Sequence, residues 1–173
     1  PWYDYWVHGI ENGVMDEPSV SYFTMGVNEW RTAATWPPHG VANVSFYFGA
    51  GQSGFAESLN DGVLLTDLPN GTEGVDSYLY DPANPVRTHG GALIYPGDPP
   101  AGAYDQRQIE RQCLTYTSEP LRADLEATGR ITATLFAISS APDTDWVVRV
   151  CDVHPDGRSR PVVEGILRAR YRI

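Results

Sequence analysis

Glycine and proline punctuate this sequence throughout, and no other feature limits its fold as strongly. The 173 residues include 17 glycines and 14 prolines. Nearly every gap between short apolar, β-branched runs contains Gly, Pro, Asp or Asn. Such residues form turns and end regular elements, so only short segments fit between them. Because 42% of the residues are apolar and 12% aromatic, the composition is not that of a disordered chain. The pattern predicts an all-β fold of short strands.

The short apolar runs between the turn residues are the predicted strands. One short helix is expected first, because the apolar residues of segment 1–13 have helical spacing. Segment 28–40 contains two tryptophans and two prolines and is predicted to be a loop, since proline cannot donate to a sheet ladder. The predicted strands are Ser19–Met25, Asn43–Phe48, Gly62–Thr66, Val75–Tyr80, Ala92–Tyr95, Gln112–Thr117, Arg130–Ser139, Asp145–Val153 and Pro161–Arg172.

The last two predicted strands form the clearest hairpin. They are joined by residues 154–157, His-Pro-Asp-Gly, and Asp-Gly tolerates the positive φ angles of hairpin turns. In the second strand apolar residues alternate with arginines up to the last residue, which predicts one buried and one solvated face. The apolar set is Leu167, Ala169, Tyr171 and Ile173, and the arginines are Arg168, Arg170 and Arg172. Short strands separated by turns about every ten residues suggest a β-sandwich or jelly roll.

The charge balance excludes several classes of function. The chain has 12 basic and 22 acidic residues, a formal net charge of −10, so it lacks the clustered positive charge that nucleic-acid binding requires. Every basic residue is arginine, which excludes lysine Schiff-base and P-loop chemistry. No apolar run approaches the roughly 18 residues of a membrane span, and no signal peptide is recognisable. We therefore expect neither a nucleic-acid nor a membrane partner.

Catalytic, cofactor and metal motifs are weak in this sequence. Gly49–Gly54 has the spacing G-x-G-x-x-G but lacks a following helix, so a loop is the preferred interpretation. The nucleophile elbow G-x-S-x-G does not occur. The four histidines are far apart without zinc-ligand spacing, and Asp143 and Asp145 lack the rest of an EF-hand loop. We expect turn or cap roles for these two aspartates, and no catalytic residue, cofactor or metal in this chain.

Three sets of residues have alternative interpretations. Cys113 and Cys151 lie in strand-like runs, where a buried free thiol is the ordinary interpretation and a disulfide or reactive thiol the alternative. A row of aromatic residues is interpreted as core or domain contact, with a sugar-stacking platform as the alternative. These aromatics are Trp30, Trp36, Tyr47, Tyr78, Tyr80 and Tyr95. The three arginines of the last strand form a solvated or inter-domain face or, alternatively, a carboxylate site.

Three long blocks together resemble one family. The blocks are Val20 to Trp30 with its continuation to Pro38, Tyr78 to Arg107, and Ser139 to Arg172. They are similar to the C-terminal non-catalytic domain of cocaine-esterase-type and X-Pro dipeptidyl-peptidase-type serine hydrolases. The resemblance implies a galactose-binding-like jelly roll packed on a bacterial, cytoplasmic α/β-hydrolase domain, with every member of the Ser-Asp-His triad upstream of Pro1.

The resemblance also implies a division of the chain and a site. Residues 1–18 resemble the last helix and linker of the hydrolase domain, and residues 19–173 a jelly roll whose final strands are missing. Those strands come from elsewhere, or the open sheet edge pairs with another copy. The residues behind Gly90-Gly91 are implied to wall the acyl pocket, namely Ile94 and Tyr95 with Leu93 and His89 beside them.

Two other functions remain open on the sequence alone. The chain is either an accessory domain that completes the acyl pocket and stabilises its hydrolase, or a carbohydrate-binding module, or a sandwich that mediates oligomerisation. The family's substrates include esters, amino-acid esters, β-lactam acyl groups and X-Pro peptides, so the resemblance does not define the substrate.

Overall fold

The computed structural model describes residues 1–71, 74–92 and 101–172. Strands are the main regular element of this part of the chain, and the two α-helices described in it are short, which confirms the all-β prediction. The helices are α1 (Trp2–His8) and α2 (Arg107–Glu110). The strands are β1 (Val20–Thr24), β2 (Glu29–Ala33), β3 (Tyr47–Gly49), β4 (Gly62–Leu65), β5 (Tyr116–Thr117), β6 (Asp145–Val153) and β7 (Ser159–Arg168).

The chain divides into two compact units. The first unit comprises Pro1–Asn43 and Asp124–Thr132, and the second comprises Val44–Ala123 and Ala133–Ile173. The first unit contains α1, which ends at Gly9 with a left-handed φ of 66°. It also contains the antiparallel pair β1–β2, in which Val20 lies opposite Ala33 and Thr24 opposite Glu29. The predicted N-terminal helix and first strand are therefore confirmed.

The loop predicted for segment 28–40 is wrong over its first part. β2 occupies Glu29–Ala33, and the Trp30 ring packs edge-on against Phe23 with ring centroids 5.5 Å apart. The two prolines follow the end of β2. They restrict the end of the strand, whereas the aromatic and β-branched residues before them favour pairing with β1.

The described part of the second unit contains two sheets. β3 pairs antiparallel with β4, and β4 pairs parallel with β5. β6 and β7 form a long antiparallel hairpin, in which Asp145 lies opposite Arg168 and Val153 opposite Ser159. Its turn is closed by a hydrogen bond from the His154 amide to the Arg158 carbonyl. Both the hairpin and the bounds of β6 agree with the prediction.

Several predicted strands are shorter than expected or absent from the described structure. β3 and β5 cover only parts of Asn43–Phe48 and Gln112–Thr117, and no strand forms over Val75–Tyr80 or Arg130–Ser139. Phe136 and Ile138 are fully or almost fully exposed. Period-two alternation favours a strand only where a neighbouring strand supplies hydrogen bonds, and these two segments have no such neighbour among the described residues.

The predicted extension of the last strand to the end of the chain is also wrong. β7 ends at Arg168, and Ala169–Tyr171 form a 3₁₀ turn. The Ala169 amide still donates to the Thr144 carbonyl, one position beyond the last pair of the ladder, and the Arg172 amide then donates to the Ala169 carbonyl within the turn. Ile173 lies outside the described residues. Among the described strands β7 pairs only with β6.

The well-buried positions of the second unit are small or polar. Gln106 is 1% exposed and Ser159 is 2% exposed, and Gly90 beside them is also buried. No apolar side chain of the described residues is fully buried. Trp30, Trp36, Tyr78 and Tyr80 are all exposed, so a core role for them is wrong. Tyr95 lies outside the described residues.

Candidate functional site: the Gln106 cluster

Only one of the four predicted pocket-wall residues lies in the described structure. Leu93, Ile94 and Tyr95 fall outside the described residues, as does most of the predicted strand Ala92–Tyr95. His89 is described and is half-buried. The surroundings of His89 therefore define the candidate site.

Glycines bring the chain segments before residue 92 and after residue 101 together. The Gly91 amide donates to the Gly102 carbonyl at 2.8 Å, and the Gly102 amide donates back to Gly91 at 3.0 Å. Gly90 has a left-handed φ of 72°. A Cβ at position 90 would lie 2.4 Å from the Gly102 carbonyl oxygen and 2.5 Å from the Tyr104 ring. Glycine is thus required at position 90 for both its backbone conformation and its close contacts.

The Gln106 side chain connects the two segments that this glycine bridge joins. Its Nε2 donates to the His89 carbonyl at 2.9 Å and to the Tyr104 carbonyl at 2.7 Å. Its Oε1 accepts a short hydrogen bond from the Arg149 guanidinium. Carbonyls only accept and guanidinium only donates, so these partners define which way the amide points. The backbone N–H of Gln106 also donates to the Ser159 carbonyl at 2.8 Å.

Arg149 and Glu164 complete the support from the β6–β7 hairpin. They lie opposite each other in the strand register, and the Arg149 Nε donates to Glu164 Oε2 at 3.0 Å. The Arg149 side chain is only 17% exposed, so its charge needs the partners that Glu164 and Gln106 provide. We call His89, Tyr104, Gln106, Arg149, Ser159 and Glu164 the Gln106 cluster.

Asp105, next to Gln106, connects the start of α2 to the start of β7 through hydrogen bonds. Its carboxylate accepts from the Arg107 Nε at 2.8 Å and from the Ser159 amide at 3.2 Å. The hydrogen bond from Arg107 contributes most to lowering the pKa of Asp105, to about 2. The carboxylate is therefore charged at neutral pH and holds two chain segments that are 54 residues apart.

The His89 ring is contacted by polar and aromatic neighbours. The Gln108 Nε2 lies 2.8 Å from both ring nitrogens, and the Tyr104 ring centroid lies 5.6 Å from that of His89. No carboxylate or hydroxyl in the described structure bonds to this ring in the manner of a catalytic triad.

A cavity of about 640 Å³ opens beside His89 and α2. Its lining includes Phe55, Ala56, Glu57, His89, Asp105, Arg107, Gln108, Glu110 and Arg111. The arginines pair with carboxylates within the lining, Arg107 with Asp105 and Arg111 with Glu57. Seven of these nine described lining residues are polar or charged, whereas an acyl group favours a mainly apolar lining.

The two cysteines are free, as the ordinary interpretation predicted. Burial raises the pKa of the Cys113 thiol and that of the Cys151 thiol. The Cys113 thiol donates to the Ile109 carbonyl at 3.3 Å. Because the thiolate is the nucleophile, a raised pKa disfavours a catalytic role for either residue.

The remaining motifs have structural roles. Gly49–Gly54 continues from β3 into a loop, as predicted, and the Asp61 carboxylate accepts from the Gly54 amide at 2.8 Å. Asp143 and Asp145 mainly pair with Arg170 and Arg168. The pairing with Arg168 lowers the pKa of Asp145. Across the described residues there is no group of three or more potential metal ligands. The described helices are too short to cross a bilayer.

Sequence reasoning named His89, whose role in a pocket wall stays a prediction, but it did not name the side chains that bond to this segment. Gln106 lies inside one of the resembling blocks, and Arg149 and Glu164 lie in a correctly predicted hairpin. Glutamine is usually exposed, so nothing in the sequence indicates its burial. The pairing of Gln106 with Arg149 joins residues 43 positions apart, which composition and periodicity do not reveal.

Comparison with known protein families assigns nearly the whole chain to one family. A family model described as X-Pro dipeptidyl-peptidase C-terminal non-catalytic domain matches residues 12–173. The chain belongs to this family. The family has a β-sandwich-type fold, in agreement with the predicted all-β sandwich, and it is the non-catalytic domain of serine hydrolases of the cocaine esterase and X-Pro peptidase type.

Three individual proteins with similar sequences carry names of serine hydrolases or peptidases. The chain is 41% identical over 173 residues to "Cocaine esterase" of Rhodococcus sp. (strain MB1 Bresler), covering 98% of this chain and 29% of that protein. It is 35% identical over 178 residues to "Putative serine esterase Mb1866c" of Mycobacterium bovis, covering 98% of this chain and 25% of that protein. A 36-residue segment is 47% identical to "Putative Xaa-Pro dipeptidyl-peptidase" of Bacillus cereus, covering 21% of this chain and 6% of that protein. The chain thus spans between a quarter and a third of the two long-matching relatives.

Proposed function

We propose that this chain is the accessory β-sandwich domain of an α/β-hydrolase-type serine hydrolase, where it completes the acyl pocket and stabilises the enzyme. The observation that carries the proposal is the family match over residues 12–173 together with the similarity to two esterases over 98% of the chain. The absence of a nucleophile elbow from the sequence agrees with a domain that performs no chemistry itself.

The hydrolase domain is the proposed partner. Residues 1–18 would be the end of that domain and its linker, residues 19–173 would be a galactose-binding-like jelly roll, and the enzyme would be cytoplasmic. Phe136 and Ile138 expose almost all of their apolar surface in the second unit, which supports contact with further chain. Pairing of two copies through the sheet edge is the alternative route to covering unpaired strands.

The proposed acyl-pocket wall consists of Leu93, Ile94 and Tyr95, with His89 beside them. Support comes from the glycine bridge and the Gln106 cluster, which connect the described residues on either side of this segment. A few methylenes in an apolar pocket change acyl discrimination by roughly 1 to 3 kcal/mol. The wall residues should therefore affect which acyl group is preferred more than whether any ester is hydrolysed.

The test uses the protein expressed from its full reading frame. The double variant Ile94→Ala, Tyr95→Ala should change the ratio of kcat/KM for nitrophenyl benzoate and nitrophenyl acetate by about tenfold or more. The double variant Ile166→Ala, Tyr171→Ala is the matched control, because it removes the same two side-chain types at exposed positions. Equal ratios in the wild type and in both double variants would show that the wall assignment is wrong.

A further inference from the structure

We propose that Asn70 is a site of spontaneous deamidation, at which attack by the neighbouring Gly71 amide converts the asparagine into a mixture of aspartate and isoaspartate. The dipeptide Asn-Gly occurs twice in the sequence, at positions 12–13 and 70–71. The structure places the two copies in different environments, so each copy is the natural comparison for the other. The reaction needs only water, and the proposal therefore does not depend on the proposed function.

The chemistry requires two groups of neighbouring residues to meet. The backbone nitrogen of Gly71 attacks the side-chain Cγ of Asn70, the new C–N bond closes a five-membered succinimide ring, and the side-chain nitrogen leaves as ammonia with the proton of the Gly71 amide. Water then opens the ring at one of its two carbonyl carbons. Opening at the side-chain carbonyl that came from Cγ gives isoaspartate or aspartate depending on which C–N bond breaks, so both products form. Glycine favours the attack, because it has no Cβ and its backbone adopts many conformations.

The Asn70 site lies in a loop that follows β4, and both Asn70 and Gly71 are exposed. Within the described part of the chain, no residue bonds to the Asn70 side chain or accepts a hydrogen bond from the Gly71 amide. A Cβ added at Gly71 would meet no atom within 4 Å, so the space around this backbone is open. The Asn70 side chain can therefore rotate towards the Gly71 nitrogen without breaking a bond to another described residue.

The Asn12 site has the same dipeptide but a fixed side chain. The Asn12 Nδ2 donates to the Pro1 carbonyl at 2.8 Å, and its Oδ1 accepts from the Val14 amide at 3.2 Å. Gly13 precedes a 3₁₀ turn, and its carbonyl accepts from the Asp16 amide at 3.0 Å. Ring closure at Asn12 must release both side-chain bonds, because Nδ2 is the leaving nitrogen and Oδ1 moves with Cγ. We therefore expect deamidation to be about tenfold slower at Asn12 than at Asn70.

The experiment follows both sites in the protein expressed from its full reading frame. The folded protein and a sample unfolded in guanidinium chloride are incubated in the same mildly alkaline buffer, and peptide mapping by mass spectrometry gives the deamidation rate at each asparagine. A protein-isoaspartate methyltransferase with a labelled methyl donor detects isoaspartate. We expect Asn70 to react about tenfold faster than Asn12 in the folded protein and less than about threefold faster in the unfolded one, where neither side chain is held. Asn70→Gln is the matched variant, since its longer side chain cannot close a five-membered ring.

Each outcome decides the proposal. Faster reaction at Asn70 in the folded protein, with isoaspartate among the products and much less methylation of Asn70→Gln, supports it. Equal rates at the two sites of the folded protein overturn it, and so does faster reaction at Asn12. Aspartate as the sole product at Asn70 also overturns it, because direct hydrolysis without a succinimide gives no isoaspartate. The peptide map of the wild-type protein decides between these results even if Asn70→Gln fails to fold.

Discussion

The β6–β7 hairpin and the Gln106 cluster share Arg149, Ser159 and Glu164, yet they are stabilised in different ways. The hairpin pairs Asp145–Val153 with Ser159–Arg168 around a short turn, and its contacts connect residues close in sequence. In the cluster, the single side chain of Gln106, which is 1% exposed, joins His89, Tyr104 and Arg149. Stability in the hairpin is spread over many weak pairs, whereas in the cluster it is concentrated in one amide.

Removal of the Gln106 amide is expected to have the largest effect on the stability of the fold. Gln106→Met leaves two carbonyls without this donor and removes one of the two partners of the poorly exposed Arg149 guanidinium. We expect it to lower the free energy of unfolding by about 2 to 4 kcal/mol. Chemical denaturation gives the magnitude. Amide hydrogen exchange of peptides covering 86–92 and 102–107 should show where protection is lost. Gln112→Met should stay within about 0.5 kcal/mol of wild type; an equal loss in both variants would remove the distinction between cluster and surface.

The cluster and the hairpin each contain a glycine with a left-handed backbone, so the same substitution can be compared in both regions. Gly90 in the cluster has φ 72°, and Gly157 in the hairpin turn has φ 81°. A Cβ at Gly90 would lie 2.4 Å from a backbone oxygen, but at Gly157 its nearest neighbour would be an arginine side chain at 3.6 Å. We expect Gly157→Ala to cost about 1 kcal/mol from backbone strain alone and Gly90→Ala clearly more. Similar denaturation midpoints for the two variants would argue against tight packing at Gly90.

The next effect is a dependence on pH and salt. The pKa of Asp105 in the cluster and that of Asp156 in the hairpin turn are both lowered to about 2, mainly by hydrogen bonds from Arg107 and Arg158. An unfolded aspartate has a pKa near 3.9. Each carboxylate therefore stabilises the fold above that value and loses this contribution as the pH falls towards 2.

Replacement by asparagine isolates each contribution. Between pH 6 and pH 3 the wild type should lose more stability than Asp105→Asn or Asp156→Asn does. In about 1 M salt the difference should nearly vanish for Asp156, whose side chain is more exposed, and persist in part for Asp105. Equal salt sensitivity of the two would mean that the cluster is as solvated as the turn.

The smallest effect is expected along the hairpin itself. The Arg168 Nε donates to Asp145 Oδ1 at 2.7 Å, but both side chains are well exposed. Exposed ion pairs contribute little, so Asp145→Asn should change the free energy of unfolding by less than about 1 kcal/mol. A loss as large as that of Gln106→Met would show that the hairpin also depends on a single contact.

The sequence predicted what depends on local chemistry. The alternation of apolar and polar residues and the Asp156-Gly157 turn were sufficient to predict the hairpin. The spacing of the aromatic residues was sufficient to predict α1. Arg130–Ser139 shows the limit of such patterns, because a strand-like sequence remains without a strand where no neighbour pairs with it. Local propensity predicts what a segment favours, and pairing decides what it forms.

The candidate site was predictable only in part for the same reason. Resemblance over long blocks indicated the region around His89, and the family match agrees with that resemblance. The burial of Gln106 and its bonds to Arg149 arise from tertiary packing between distant segments. A polar residue in a loop-rich block is more often exposed than buried, so its sequence context favoured the opposite of what the structure shows.

The most direct test of the whole account is where a serine-directed fluorophosphonate reacts. The protein expressed from its full reading frame is labelled, digested and mapped by mass spectrometry, and residues 1–173 are expressed alone as the comparison. We expect one labelled serine outside these 173 residues, and neither labelling nor turnover of nitrophenyl esters or X-Pro peptides by the 173 residues alone. A labelled serine within residues 1–173, with ester turnover lost on labelling, would contradict a non-catalytic domain.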